Sequence, residues 1–248
     1  MTNPGFLGTI LTSRSVNIDL SALKTIVYDE ADELFLQTSN HKVYVELNKH
    51  LEKLKVTPQH CLYSATFTDE VIQKVKQYVG KFDAFPIKPE NLKLKGVKQL
   101  KMRVSPAEKL DFIAKLHTSL DKAMTMVFLN KKDSTIKLQD RLLKSGIKAK
   151  ILIGGLDNAD RDKIIDDFRK NEFTTLISTN VLARGIDVPE VDLVINYDVP
   201  VISREGGWKD PDYANYQHRV GRTGRFGTDG LALTLICAEN DDEFMNLI

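Results

Sequence analysis

The sequence has 248 residues, 42% of them hydrophobic and 28% charged, which allows one large domain or two smaller ones with packed cores. Lysine and arginine number 35 against 34 acidic residues, so a global basic field is excluded and any nucleic-acid contact must rest on locally placed groups. Cys61 and Cys237 have neither metal-ligand spacing nor a disulfide framework and read as ordinary buried thiols. No apolar run approaches the roughly 18 residues needed to span a bilayer, and no signal pattern opens the chain, so an intracellular protein without a membrane partner is expected.

Taken in order, short β-rich apolar runs alternate with amphipathic segments of helical period, the pattern of an α/β chain with parallel sheets and crossover helices. Buried strands are predicted at 23–28, 61–63, 124–129, 174–177, 193–197 and 231–236. A helix is predicted from Thr68, its N-cap, through Val71, Ile72, Val75 and Val79 to a stop at Gly80. Another is predicted to open with Ser105, Pro106, Ala107 and Glu108, which combine a capping-box spacing with a proline in the first turn. Between them, residues 86–96 contain Pro86, Pro89 and Gly96 without helical or strand period and read as a linker. The division is then a first unit at 1–85, short and poor in strands, and a second at 97–248, the size of a complete domain.

Four stretches carry chemistry. Asp29-Glu30-Ala31-Asp32 ends an apolar strand, and ligands of open α/β sheets bind at that carboxyl edge. An aspartate there can hold Mg²⁺, and a neighbouring glutamate can orient an attacking water; alone, the same letters are a solvated acidic turn. Ser64-Ala65-Thr66 follows the next strand and puts two hydroxyls near the same edge, although serine and threonine also cap helices and form turns. Ser178 to Pro189, after the strand at 174–177, offers a hydroxyl, a glycine and a carboxylate suited to a phosphate backbone and a ribose, or to a strand-end turn. In His218-Arg219-Val220-Gly221-Arg222-Thr223-Gly224-Arg225-Phe226-Gly227, arginines alternate with glycines, so fixed positive charge sits on a backbone that can approach a transferring phosphoryl group closely.

Together the acidic quartet, Ser-Ala-Thr, Ala183-Arg184-Gly185-Ile186-Asp187 and the arginine–glycine run resemble, in order and spacing, the motifs of DEAD-box RNA helicases, over nearly the whole chain. The resemblance implies two RecA-like parallel-sheet units, the first truncated, that use ATP and Mg²⁺ and grip single-stranded RNA by its backbone. It assigns Asp29 to Mg²⁺, Glu30 to the catalytic water, and Asp32, Ser64, Thr66 and His218 to coupling between the units. It assigns Pro4, Gly5, Lys131, Thr179 and Gly185 to the RNA backbone, Asp187 to the nucleotide ribose, with Asp32 and Gly185 also in the nucleotide-binding set, Arg222 and Arg225 to the γ-phosphate, and Arg161 to the γ-phosphate side or the interdomain contact. Departures from the family are Asn3 and Lys131 in threonine positions, with Ile153 and Gly155 replacing a histidine and an acid.

The 17 residues between Pro200 and His218, with Trp208 among them, and the Asn180 to Asp187 stretch resemble the subgroup that remodels messenger RNA at the nuclear pore. That likeness implies protein regulators at the pore, a monomer, and work in the cytoplasm, the pore or the nucleus. No G-x-x-x-x-G-K-[ST] occurs in these residues, so the family's phosphate loop is absent from them and the chain alone is expected to have negligible ATPase activity. A first unit built from so few strands is expected to leave a sheet edge and apolar surface open. The alternative is a non-enzymatic adaptor that binds RNA or protein; a hydrolase unrelated to RNA would not need the arginine–glycine run.

Overall fold

The computed structural model describes residues 2–13, 15–16, 18–64, 67–85, 96–120, 122–179, 191–203, 209–224 and 229–237. The chain divides into two compact units, Met1–Ile87 and Lys88–Ile248. Most of the predicted linker, like Thr66, Gly185, Asp187, Trp208 and Arg225, lies outside the described residues.

The first unit opens with α1 (Pro4–Thr12), where Pro4 occupies the first turn and Asn3 accepts the Phe6 N–H at 2.8 Å. Strand β1 (Thr25–Asp29) leads through Glu30 into α2 (Ala31–Leu36); a 3₁₀ turn at Thr38–Asn40 precedes α3 (His41–Leu54). Strand β2 (Gln59–Tyr63) pairs parallel with β1, and α4 (Asp69–Val79) follows. Thr68 caps α4 by accepting the Val71 N–H, and Gly80 ends it at φ 85, a backbone region glycine enters at low cost.

One face of this pair buries Tyr28 against Phe35, Tyr44, Val71 and Val75. On the other, Val27 and Tyr63 are each 61% exposed, the open apolar surface expected of a two-stranded sheet.

The second unit is a six-stranded sheet, parallel throughout, in the order β3-β10-β7-β4-β6-β5. The strands are β3 (Val97–Arg103), β4 (Thr125–Leu129), β5 (Ala149–Leu152), β6 (Thr175–Thr179), β7 (Leu193–Asn196) and β10 (Gly230–Ile236). The helices are α5 (Lys109–Ser119), α6 (Lys132–Lys144), α7 (Asn158–Arg169) and α8 (Tyr213–Val220), and β8 (Val201–Ser203) pairs antiparallel with β9 (Lys209–Pro211).

Alternation along β4 divides the core: Met126 and Phe128 pack with Phe168, Tyr216 and Val220, whereas Val127 and Leu129 pack with Ile113, Leu138 and Leu142. Both faces are covered, which is why the central strands read as continuous apolar runs.

Two expectations change. Helix α5 begins at Lys109; Ser105 to Glu108 forms a turn in which the Glu108 N–H reaches Ser105 O at 3.0 Å and the serine hydroxyl bonds the glutamate carboxylate. The capping-box residues therefore close on each other one turn ahead of the helix. Neither cysteine is fully buried; Cys237 Sγ lies 3.0 Å from Val104 O.

Burial holds the pKa of His117 below its ordinary value, a shift only partly offset by its Nδ1 contact with Ile113 O; Nε2 is buried without a hydrogen-bond partner. His60 is lowered by burial too. With the folded pKa depressed, the unfolded chain protonates first as pH falls, so stability is full above about pH 6.5 and is lost below it. The melting temperature should therefore fall between pH 7 and pH 5.5, with a limit of about 1.4 kcal/mol per pH unit for each such proton. His117→Gln should flatten the profile, and equal slopes in the two proteins would contradict the assignment.

Candidate nucleotide and nucleic-acid sites

In the first unit the acidic residues stand where β1 ends. Asp29 pairs with Tyr63 across the parallel sheet, so Glu30 and Ser64 leave the two strands side by side at one carboxyl edge. Glu30 adopts a left-handed conformation, φ 54 and ψ 51, and is the N-cap of α2. That region costs a non-glycine residue about 1–2 kcal/mol, and such strain gathers at sites where a side chain must be aimed. The Glu30 N–H donates to Asp29 Oδ1 at 3.1 Å and the Glu33 N–H to Asp32 Oδ1 at 2.9 Å. Asp29 is exposed, whereas Asp32 is buried at 3% exposure and faces inward.

Among the described residues no group of three or more acids, histidines or cysteines converges on a metal position. One exposed carboxylate fits Mg²⁺ all the same, because that ion is usually held by one or two carboxylates together with substrate phosphates.

At the start of the unit, Asn3, Pro4 and Gly5 form the N-terminus of α1, the positive end of the helix dipole, which suits an anion although Asn3 already takes the Phe6 N–H. Asparagine caps a helix as well as threonine does, so the departure at Asn3 keeps the local structure.

In the second unit the described candidate residues fall on two opposite edges of the sheet. At the carboxyl edge, Leu129 pairs with Thr179 and Leu152 with Ser178, which brings the ends of β4, β5 and β6 together. Lys131, exposed, is the N-cap of α6; Lys132 Nζ donates to Gly154 O at 3.0 Å. Thr179 is buried, with no hydrogen-bond partner for its hydroxyl, and Arg161 lies in the first turn of α7 with its buried Nε also unpartnered.

The amino edge is reached by α8, which runs back against the strands: Asp212, before the helix, bonds Pro200 O beyond the end of β7, whereas Arg222, after it, accepts the N–H of Val191 ahead of the start of β7. His218 lies in the last turn of α8, and Arg222 is 7% exposed. The sequence grouped three arginines as one basic run; of the two that are described, Arg222 stands in the turn at this amino edge, whereas Arg219 reaches the other edge.

Arg219, not singled out from the sequence, is fully buried. Its guanidinium donates to Asp198 O at 2.7 Å, Asn130 Oδ1 at 2.9 Å and Asn196 Oδ1 at 3.2 Å, and stands 5.3 Å from the centre of the Phe128 ring. Burial lowers its pKa to about 10, opposed by Asp198 and Asp212, so it stays charged near neutrality. Asn130 also bonds Val199 O through Nδ2 and Asp198 Oδ2 through its N–H; Lys109 of α5 reaches Tyr197 O and Asp198 Oδ1. The only sequence signal for this network was a set of polar residues directly after apolar strands, which also describes ordinary loops.

Residues 108–227 match the family described as the helicase conserved C-terminal domain. An ATP-dependent RNA helicase DBP5 from Lodderomyces elongisporus is 35% identical over 249 residues, covering 99% of this chain and 46% of that protein. The chain spans about half the length of the curated relatives it matches. Among solved structures, S. cerevisiae Dbp5 bound to RNA and ADP BeF3 is similar with a TM-score of 0.84 at 32% identity, over 99% of this chain and 61% of that one. The C-terminal domain of the DEAD-box protein Dbp5 is similar with a TM-score of 0.57 at 37% identity, over 62% of this chain and 84% of that one. A variant of S. cerevisiae Dbp5 bound to Nup159, a Gle1 variant, IP6 and ADP is similar with a TM-score of 0.62 at 30% identity, over 99% of this chain and 61% of that one.

Proposed function

This chain belongs to the DEAD-box helicase family, and on that premise we propose that it forms the RNA-gripping and hydrolysis-coupling part of an ATP-dependent RNA helicase. Residues 1–85 are the later part of the ATP-binding RecA-like domain, 86–96 the linker, and 97–248 the C-terminal helicase domain. Single-stranded RNA is held by its backbone at the N-terminus of α1, through Pro4 and Gly5, and at Lys131 and Thr179, with Gly185 assigned to the same role. Such contacts read phosphate and 2′-OH rather than base sequence.

Asp29 would supply the carboxylate that holds Mg²⁺, which when bound would neutralise charge on the nucleotide phosphates. Glu30 orients the attacking water and accepts its proton. Arg222 and Arg225 stabilise charge on the phosphoryl group, Asp187 bonds the ribose, and Asp32, Ser64, Thr66 and His218 transmit domain closure. These 248 residues contain no phosphate loop, so the chain alone is expected to turn over negligible ATP. Nuclear-pore proteins of the Nup159 and Gle1 kind are the proposed regulators, and a monomer working in the cytoplasm and at the pore is the proposed setting.

The observation that carries the RNA reading is the register of Leu129 with Thr179, which brings the strand end leading to Lys131 and an unpartnered buried hydroxyl to one edge. Fluorescence anisotropy with single-stranded RNA and DNA of one sequence tests it. The chain should prefer RNA, and Lys131→Ala should weaken binding and reduce the salt slope by about 0.7, the value for one lost phosphate contact on a single strand. Equal affinity for the two nucleic acids, unmoved by Lys131→Ala, would contradict it. A second reading, a non-enzymatic adaptor, is favoured by the lack of the phosphate loop and predicts binding without turnover in any extended version.

A further inference from the structure

The two edges of the second unit carry different candidate chemistry, yet Arg219 touches one edge from a helix that ends at the other. Side chains on a helix tilt toward its N-terminus, so the guanidinium of Arg219, in the last turn of α8, reaches back to the carboxyl edge. There it bonds Asn130, which directly follows β4 and directly precedes Lys131, as well as Asn196 and the Asp198 carbonyl at the end of β7. Its own backbone faces the opposite way: Arg219 O accepts the N–H of Arg222 at 3.1 Å, and Arg222 O accepts the N–H of Val191 at 3.1 Å. A single residue therefore joins the turn after β4, through its guanidinium, to the turn after α8, through its backbone carbonyl.

We propose that Arg219 is a positioning residue that ties the Asn130 and Lys131 turn to the Arg222 turn, so that displacement at the RNA-side edge is transmitted to the phosphate-side arginine. The inference rests on the functional reading above for what each edge binds, but the link itself is a property of the second unit alone.

Three features suit the group to this task. A guanidinium is planar and rigid, with five donors in fixed directions, so it constrains the groups it bonds to one relative geometry, which a flexible lysine would not. It is fully buried with Phe128 beneath it, so it cannot swing into water when one partner moves. The acceptors continue into a polar chain: Asn196 Nδ2 donates to Thr234 Oγ1 at 3.1 Å, and Tyr216 of the same helix donates to Gln99 at 2.7 Å. Buried networks of this kind hold their members together because each bond left unmade is costly.

Amide hydrogen exchange on the 248-residue chain tests the link. The N–H groups of Gly221, Arg222 and Thr223 bond Gln217 O, Arg219 O and Val220 O, and the N–H of Asn130 bonds Asp198, so both turns give readable protection. Asn130→Ala should speed exchange at 221–223 by about tenfold while the central strands β4 and β6 stay within about twofold. Asn130→Asp, which keeps the acceptor for Arg219 and loses the donor to Val199, should leave 221–223 unchanged. With Arg219→Lys, the two turns should loosen independently, and saturating single-stranded RNA should protect 221–223 in the parent chain but not in this variant.

Acceleration confined to 129–132, or spread evenly over the sheet, would overturn the proposal. If the parent chain binds no RNA, the functional reading fails, and the exchange result for Asn130→Ala and Asn130→Asp still decides the link.

Discussion

Gly230→Ala is expected to destabilise the second unit by about 1–3 kcal/mol, the usual cost of forcing a methyl into a packed site, and to displace the turn that follows Arg222. A Cβ built at Gly230 would lie 2.5 Å from the Gly224 nitrogen and the Thr223 hydroxyl and 2.9 Å from Gly224 Cα, and backbone atoms cannot swing aside. Nor can the turn retreat. Gly224 sits at φ +69 with its own Cβ direction 2.5 Å from Val97 Cγ2, and Gly230 N–H bonds Gly96 O at 2.7 Å. Because a misplacement near 1 Å can cost about 100-fold in rate, RNA-stimulated hydrolysis in a version extended with a phosphate loop should fall by about that factor. Gly146→Ala is the control: at φ +76 with open space around it, it carries only the left-handed penalty of about 1–2 kcal/mol and should leave turnover intact. Urea denaturation and steady-state hydrolysis of the two variants check both halves, and an unchanged midpoint for Gly230→Ala would sink the steric argument.

Much of the fold was legible in the sequence because the central strands are buried on both faces. Runs such as Met126 to Leu129 and Leu193 to Ile195 cannot be anything but core, and the Thr68 cap and Gly80 stop of α4 follow from local chemistry. Strand β3 was not legible: it is an edge strand with six of seven residues exposed, including Lys98, Lys101 and Arg103, so its composition is that of a loop. Strand β5, Ala-Lys-Ile-Leu, is too short to carry a period.

The acidic edge was readable because strand and carboxylates adjoin, and the β1–β2 register then placed Ser64 beside Glu30. What the sequence concealed is the split within the arginine–glycine run. Arg219 is fully buried and Arg222 nearly so, because α8 folds the first half of the run against Phe128 and the strand ends. Arginine letters alone do not distinguish a guanidinium that meets a ligand from one that meets the core.

The largest expected effect is chemical. Glu30→Gln keeps the size of the side chain and the strained backbone that aims it, but removes the carboxylate that accepts a proton from water. In the extended version it should lower RNA-stimulated hydrolysis by about 10²- to 10⁴-fold, the range for a positioned general base, with RNA affinity unchanged. A loss of both turnover and RNA binding would instead mark Glu30 as structural.

RNA-stimulated ATP hydrolysis, measured side by side on this chain, the extended version and the extended Glu30→Gln variant, decides whether these residues belong to a working helicase motor. Turnover is expected in the extended version alone. If the extended version binds RNA yet hydrolyses no ATP, the helicase reading is contradicted and the chain acts as an RNA-binding adaptor.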